Sequence, residues 1–350
     1  MDRKNYSVAV VATMSAGKST LLNSMIGAEI LPSQNEACTA KVYSITDDDN
    51  ATGFTARTIS SNVSGEWQPA TRSLLSAFNR SNADKIEICG NLRQIKNMRS
   101  GRAVLLYDTP GPNNSQDATH SQITEKIIKE SDFCSILCVL NATQLNTDDE
   151  FNLLHFISQE TKKKNTNANV LFVLNKVDQF HLSAGESIRA ALERCKKHLR
   201  DKIGFSSINL VPVSSRLALF IRMMIDTMQP MTRDEAESFF HGKKNKNNKF
   251  FRAVLPNDED DEKQDFLRFK IKSFLRRKRS YASALKFSPV MKREFLALKE
   301  KLAQRKASNT YILIGDRFYS LEDVNMVLLL TGVPLVELYL EKKMKKIKNN

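Results

Sequence analysis

The stretch that decides the fold is residues 6–26, with the sequence YSVAVVATMSAGKSTLLNSMI. Residues 6–11 are short, apolar and rich in β-branched side chains, which predicts a buried parallel strand. Residues 21–26 carry apolar side chains at helical spacing and stop at a glycine, which predicts a helix. The loop between them contains glycine and ends in Lys18 and Ser19. A strand, such a loop and a helix in this order predict a cradle for phosphate groups.

Each residue type in this phosphate loop, residues 12–20, has a chemical role toward a nucleotide. Backbone N–H groups and the positive end of the helix face the β-phosphate, Lys18 adds a full charge, and the Ser19 hydroxyl can ligate Mg²⁺. Ala12 replaces the first glycine that is usual in this pattern, and it is small enough to fit. The predicted phosphate-binding residues are Ala16, Gly17, Lys18, Ser19 and Thr20.

Composition restricts the class of protein. The 350 residues suffice for one large core or for a domain with an appendage, and 41% apolar with 26% charged residues is typical of a soluble globular protein. No apolar run reaches the roughly 20 residues that span a bilayer. We expect no signal peptide, because the first apolar run leads directly into the phosphate loop. Five cysteines without CxxC spacing favour a reduced, cytoplasmic protein over a disulfide scaffold or a zinc site.

The formal charge of +14 is concentrated in the C-terminal third of the chain. Residues 231–350 contain 27 Lys and Arg against 16 Asp and Glu. This excess predicts an anionic partner, which can be a phospholipid surface, a nucleic acid or an acidic protein surface. Charge alone does not choose among them.

Alternating strand and helix patterns predict an α/β fold with a doubly wound, mostly parallel sheet flanked by helices. The predicted strands after the first are 40–45, 51–60, 85–89, 102–107, 133–140, 169–174 and 207–213. The predicted helices of this part are 68–81, 117–131, 148–162, 184–202 and 215–228.

The pattern changes beyond about residue 230. Residues 242–265 are rich in Lys and Asn and then in Asp and Glu, which predicts an exposed insertion. The predicted helices of this part are 264–280, 289–306, 319–330 and 333–346. The predicted division is a core of residues 1–230, a variable charged and helical insertion of 231–318, and closing helices with a basic tail at 319–350.

A second motif, DTPG at residues 108–111, follows a hydrophobic strand at the edge where an α/β sheet binds ligands. Asp108 can hold the shell of a Mg²⁺ ion through water, and the Gly111 amide can contact a γ-phosphate and sense its loss. The tetrapeptide alone is also typical of a plain turn. Paired with Lys18 and Ser19, it predicts a nucleoside triphosphate site.

A third motif, NKVD at residues 175–178, indicates which base is bound. The Asp178 carboxylate can accept from guanine N1–H and its exocyclic amine, whereas adenine offers neither donor, a mismatch that costs several kcal/mol. Asn175 would stabilise the loop and the Lys176 stem would cover the base. A charged turn after a strand is the alternative interpretation. Ser214 and Ser215 follow the last core strand and can supply backbone contacts to guanine O6.

Thr39 is the candidate for the remaining part of such a site. It lies in a polar loop before the second predicted strand. Its hydroxyl can complete the Mg²⁺ sphere while its carbonyl orients the attacking water. The alternative is a surface threonine with no role.

Together these motifs resemble the dynamin family of large GTPases. The motifs are SAGKS at 15–19, the loop with Thr39, DTPG at 108–111 and NKVD at 175–178. The longer stretches TMSAGKST and DTPGPNN are most similar to bacterial dynamin-like proteins, and TGVPLVEL at 331–338 resembles the closing helix of their G domains.

The resemblance implies a P-loop GTPase that binds GTP with Mg²⁺ and hydrolyses it to GDP and phosphate. It implies that Ser15 helps to hold a monovalent cation, K⁺ or Na⁺, in place of an arginine finger, and that Lys18 and Thr39 act with it in catalysis. It also implies a nucleotide-dependent homodimer in which two G domains pair face to face. Met14 occupies the position where eukaryotic members carry glutamine.

Two further expectations concern partners and place. The sequence ends where the helical stalk of membrane-remodelling dynamins would begin, so we expect a short family member or one that acts with a stalk-bearing dynamin-like protein. We expect a cytoplasmic location, peripheral at a membrane or at the nucleoid. The alternative function is a non-catalytic module, switched by nucleotide, that docks on a DNA-associated or acidic protein partner.

Overall fold

A computed structural model of the chain describes residues 5–13, 15–32, 41–61, 63–92, 103–109, 119–130, 133–163, 169–180, 186–227, 231–232, 259–304, 310–314 and 317–346. The strands are β1 Tyr6–Ala12, β2 Val42–Asp47, β3 Thr55–Ser60, β4 Val63–Ser64, β5 Gln68–Pro69, β6 Lys85–Gly90, β7 Val104–Asp108, β8 Ser135–Asn141, β9 Asn169–Asn175, β10 Asn209–Val213, β11 Met231–Thr232, β12 Thr310–Ile314 and β13 Arg317–Ser320. The helices are α1 Lys18–Ile26, α2 Arg72–Arg80, α3 Thr119–Glu130, α4 Asp148–Lys163, α5 Ile188–Asp201, α6 Ser215–Thr227, α7 Glu259–Arg276, α8 Lys278–Leu285, α9 Pro289–Gln304, α10 Leu321–Leu330 and α11 Val333–Lys346.

One large sheet organises the described residues, with strand order β10-β9-β8-β1-β7-β2-β6-β3-β4 and β5 beside β3. The strands from β10 to β7 are all parallel, and β2 runs antiparallel to β7 but parallel to β6. All seven residues of β8 are buried, as its continuous apolar sequence requires of a strand covered on both faces. The predicted fold class, a mostly parallel sheet flanked by helices, is confirmed.

The carboxyl ends of the parallel strands meet at one edge of this sheet. In the paired registers Val10 lies opposite Asp108, and Asn175 lies opposite both Asn141 and Val213. The phosphate loop, Asp108 and the 175–178 motif therefore follow adjacent or nearly adjacent strands at the same edge. That edge is where a doubly wound sheet binds its ligand.

The C-terminal helices pack on this core. On α6, Arg222 donates to both carboxylate oxygens of Glu337 on α11, at 2.7 and 2.8 Å, and to the main-chain oxygen of Ser24 on α1. Phe220 on α6 meets Phe266 on α7 edge to face, with ring centroids 5.5 Å apart. Helix α1, which starts at the phosphate loop, is thus joined through α6 to helix α11, more than 200 residues further along the chain.

Several local features differ from the prediction. The helix expected at 68–81 begins at Arg72, because Gln68–Pro69 pairs with β3 as strand β5, and strand β4 was not predicted. The single helix expected at 264–280 is two helices, α7 and α8, separated at Arg277. Strands β11, β12 and β13 form a small antiparallel sheet that the sequence analysis did not predict. An apolar run as short as YILI at 311–314 cannot be assigned to a strand by periodicity alone, because its pairing partners decide its conformation.

No individual helix of the described residues is both long and apolar enough to cross a bilayer; α10 and α11 meet that criterion only as a pair, with a bend of 68° between them.

Candidate nucleotide-binding site

The phosphate loop has the backbone conformation that its glycine allows. Gly17 has a φ of 88° and Ser15 a φ of 57°, both in the left-handed region. A Cβ atom added at Gly17 would lie 2.4 Å from Nδ2 of Asn175. Glycine is therefore required here both by the left-handed conformation and by the close approach of the 175–178 motif.

Helix α1 presents its N-terminus at this loop. The helix begins at Lys18, and the residue before it, Gly17, makes no side-chain hydrogen bond to the first turn. Ser19 and Thr20 follow in the first turn and are half-buried. The first N–H groups of a helix and its dipole favour an anion at this position.

Lys18 and Asp108 form a buried ion pair at the junction of α1 and β7. Burial raises the pKa of Asp108 above its usual value, and the adjacent Lys18 ammonium opposes that shift. Thr109 joins β7 to β1, since its hydroxyl donates to the main-chain oxygen of Val10 at 2.9 Å. The lysine predicted for phosphate and the aspartate predicted for the metal shell therefore lie in contact.

The donor set of this site fits Mg²⁺. The Ser19 hydroxyl and the Asp108 carboxylate are hard oxygen donors of the kind that Mg²⁺ prefers. Among the residues that the structure describes, no group of three or more His, Cys, Asp or Glu could hold a metal ion.

Asn175 joins three segments of the site. Its Nδ2 donates to the main-chain oxygen of Ala16 at 2.9 Å, and its Oδ1 accepts from the Ser215 N–H at 3.2 Å and the Ser215 hydroxyl at 2.9 Å. The residue is 2% exposed. The phosphate loop, the end of β9 and the start of α6 are therefore fixed relative to one another by one amide group.

The loop of residues 175–180 is called the base loop here, because the sequence predicts that it binds guanine. Lys176 takes a left-handed φ of 67°, and a short 3₁₀ turn follows at Val177–Gln179. Burial lowers the pKa of the half-buried Lys176 ammonium, and the Asp178 carboxylate opposes the shift.

Asp178 is held from two sides. Ser214 donates its hydroxyl to Oδ1 of Asp178 at 2.7 Å. Lys270 on α7 donates to the main-chain oxygen of Asp178 at 2.5 Å and lies 3.4 Å from its Oδ2. The sequence analysis did not single out Lys270, and no motif could have done so, because it lies 92 residues beyond Asp178 in a segment with no nucleotide-binding signature.

Ser214 and Ser215 bind both the base loop and the turn at Thr331. The Ser214 N–H donates to the main-chain oxygen of Thr331 at 2.8 Å, and the Ser215 N–H donates to Asn175. Both amides are thus engaged inside the protein, while the hydroxyls hold Asp178 and Asn175. Their contact with guanine O6 stays a prediction.

The remaining predicted site residues have no contact in the site that the structure describes. Ser15 lies at an exposed position in the phosphate loop. Thr39, Gly111 and Met14 lie outside the described residues, so their predicted roles are not tested by the geometry.

A family model covers the first part of this chain, and several solved structures are similar to it at low identity. Residues 8–177 match the model of a family described as the dynamin family. A search of curated proteins finds no significant match. Among solved structures, two from work on an oligomerised bacterial dynamin pair that senses and tethers membranes are similar at 15% identity, with TM-scores of 0.48 and 0.46.

Those two matches cover 86% and 87% of this chain but 46% and 45% of the bacterial dynamin chains, so this chain spans less than half of their length. A variant of Era from Aquifex aeolicus bound to GDP·AlF₄⁻ is also similar, at 21% identity and a TM-score of 0.33, over 60% of this chain and 51% of Era. The matched range 8–177 contains the phosphate loop, Asp108 and the start of the base loop. The resemblance to the dynamin family that the motifs indicated is therefore confirmed over residues 8–177.

Proposed function

We propose that this chain binds GTP with Mg²⁺ and hydrolyses it to GDP and phosphate, and that pairing of two G domains stimulates turnover. The observation that carries the proposal is the side chain of Asn175, the first residue of the base loop, which binds the phosphate loop at Ala16 and the start of α6 at Ser215. A ligand that spans both loops must combine phosphate groups with a base. Asp178, at the end of the base loop, favours guanine as that base.

The phosphate end of the site supplies charge and position rather than covalent chemistry, which is what phosphoryl transfer requires. Lys18 and the N-terminus of α1 would neutralise the β- and γ-phosphates. Bound Mg²⁺, held by Ser19, by Thr39 and through water by Asp108, would offset the negative charge that develops during transfer. The Thr39 carbonyl would orient the attacking water, and the exposed Ser15 would help to hold K⁺ or Na⁺ when a second G domain covers it.

The basic C-terminal third supports an anionic contact besides the nucleotide. Arg276, Lys278 and Arg279 are exposed around the α7–α8 junction. We propose that this surface meets a membrane, a DNA-associated complex or a stalk-bearing dynamin-like protein, which would make the chain a cytoplasmic protein with a peripheral location.

The first test is turnover. Phosphate release from GTP should be measured at rising protein concentration, in K⁺ and in Na⁺, and the rate per molecule should increase with concentration because pairing orders the site. Lys18→Ala should abolish GTP binding and turnover, whereas Lys129→Ala, which removes an exposed charge on α3, should leave both unchanged. Full activity of Lys18→Ala would refute the proposal. Tight GTP binding without turnover under any condition would support the non-catalytic switch.

The second test concerns the base. Asp178→Asn replaces an acceptor by a donor, so it should shift the preference from guanosine toward xanthosine nucleotides. Competition binding with GTP and XTP measures the shift. Unchanged selectivity for GTP would refute the role of Asp178.

A further inference from the structure

Lys270 approaches the base loop from helix α7, outside every motif of the nucleotide site. Its ammonium group donates to the main-chain oxygen of Asp178 at 2.5 Å and lies 3.4 Å from the carboxylate Oδ2. The Lys270 side chain is 15% exposed and the Asp178 side chain 6%. A charge-assisted hydrogen bond to a main-chain oxygen restricts the backbone of the loop as well as the side chain.

The Lys270 contact is compatible with guanine on the same carboxylate. Oδ1 of Asp178 accepts from Ser214, while Oδ2 faces Lys270. An ionised carboxylate has about four lone-pair sites, so each oxygen keeps one for a further donor. Guanine N1–H and its exocyclic amine require two such sites, one on each oxygen. Ser214 and Lys270 can therefore orient the carboxylate without competing with the base.

Helix α7 is itself fixed against the core beside the base loop. Phe266 packs edge to face on Phe220, and the Arg216 guanidinium lies 4.7 Å from the Phe266 ring centroid. Further along, Phe274 of α7 stacks on Tyr281 of α8 at a centroid distance of 3.7 Å. Burial, with the nearby Asp178 carboxylate, raises the pKa of the Tyr281 hydroxyl. Helix α7, which carries Lys270, is thus packed on both α6 and α8.

We infer that Lys270 is a positioning residue for base recognition: it holds the backbone and the carboxylate of Asp178 in the geometry that distinguishes guanine from other bases. The inference rests on the proposed function, because it requires that the base loop binds guanine. It assigns to helix α7 a part in nucleotide selectivity that the G-domain motifs do not contain.

The experiment is calorimetric binding of GDP and of IDP, each with Mg²⁺, to the full chain. IDP keeps the N1–H of the base but lacks the exocyclic amine, so it can make one of the two contacts predicted for Asp178. Lys270→Met keeps the aliphatic stem and removes the charged donor. Lys272→Met is the matched control, because it removes the same charge from the same helix but from another face.

The expected result is that Lys270→Met binds GDP about tenfold more weakly than the wild type, as expected for the loss of one charged hydrogen bond. Its affinity for IDP should fall by less, so that the ratio of its affinities for GDP and IDP is smaller than in the wild type. Lys272→Met should keep both affinities. Lys270→Arg, which retains charge and donors, should recover part of the preference.

Three results would overturn the inference while the wild type still binds GDP: unchanged binding by Lys270→Met, tighter binding, or an equal loss for GDP and IDP. If the wild type itself fails to bind GDP, the proposed function fails first. Thermal unfolding of each variant checks the fold. Should Lys270→Met be unfolded, Lys270→Gln replaces it, with the same expected loss of preference because a neutral, shorter donor cannot reach both oxygens.

Discussion

Among single residues, the buried carboxylates of this protein differ in what offsets their charge. Asp108 faces Lys18, and Glu337 faces Arg222. Glu150, in the first turn of α4, accepts only from the Asn146 N–H at 3.2 Å, and its Oε2 has no hydrogen-bond partner among the described residues. Burial raises the pKa of Glu150 to about 7. This carboxylate is therefore a source of instability when it ionises.

The raised pKa of Glu150 predicts a pH-dependent stability. The unfolded chain ionises this group near the ordinary glutamate value of 4.5, but the folded chain does so only near 7. Stability is thus lost as the pH rises through this window, by about 3 kcal/mol. Glu150→Gln removes this loss. The free energy of unfolding is measured in urea for Glu150→Gln and for the wild type at both pH values. The value for Glu150→Gln minus that for the wild type should be about 2 kcal/mol larger at pH 8 than at pH 5.

The control for this measurement is Glu193→Gln on α5, because Glu193 is exposed and forms only a surface pair with Arg189. It should change the free energy of unfolding by less than about 0.5 kcal/mol at either pH. If the free energies of unfolding of Glu150→Gln and the wild type differ by the same amount at both pH values, the explanation is contradicted.

At the scale of elements, a buried ion pair joins three helices. Arg222 of α6 contacts Glu337 of α11 and the main chain of Ser24 in α1. Burial raises the pKa of Glu337 and the Arg222 guanidinium opposes that shift. Since α1 also begins at the phosphate loop, this pair fixes the nucleotide site to the last helix of the described chain.

Removing one partner of this ion pair should strongly destabilise the folded protein. Arg222→Met would leave the Glu337 carboxylate buried and unpaired, at a cost of about 3–5 kcal/mol in the free energy of unfolding. The double variant Arg222→Met with Glu337→Leu should recover most of the loss, because it removes both charges. Chemical denaturation measures both. The explanation fails if the double variant is as unstable as the single one, or if Arg222→Met costs no more than the exposed Arg189→Met.

The turn between α10 and α11 is the second critical element. Gly332 has a φ of 80°, and a Cβ atom there would lie 2.1 Å from the main-chain oxygen of Pro212 in β10. The adjacent Thr331 accepts the Ser214 N–H. The close packing of this turn on β10 therefore supports the serine that holds Asp178.

Gly332→Ala should separate this turn from β10. We expect a loss of about 3 kcal/mol in the free energy of unfolding, from the left-handed conformation and the backbone clash together, and weaker binding of GDP. Gly53→Ala is the matched control, since no atom lies within 4 Å of a Cβ added there. A Gly332→Ala protein that is as stable as Gly53→Ala would contradict the required close approach.

At the scale of the whole molecule, the sequence suggested a core that ends near residue 230, with later helices that close it. In the structure α11 contributes residues with no exposed area, Leu335, Val336 and Leu340, to the common core. Helix α11 also contacts α1 and β10. The first 230 residues thus expose a large apolar surface if they are expressed alone.

We therefore predict that a fragment of residues 1–230 does not unfold cooperatively, whereas the full chain does. Circular dichroism during heating, together with binding of a dye for exposed apolar surface, tests this. The same fragment should lose GDP binding, because β10, α6 and the base loop lose their cover. A fragment with a sharp transition and native-like GDP affinity would show that the later helices are dispensable.

The phosphate loop, the motif residues Asp108 and Asn175 to Asp178, and most strands and helices were predictable because local patterns of polarity and turn residues determine them. The phosphate loop, Asp108 and the base loop also had to meet at one edge, because each follows one of the mutually parallel strands β1, β7 and β9. Only the tertiary structure decided the contacts between distant segments. These are the ion pairs of Lys270 with Asp178 and of Arg222 with Glu337, and the close approach of Gly332 to Pro212. Such pairs leave no periodic signal in the sequence, since their free energy comes from burial and approach that exist only after the helices have packed.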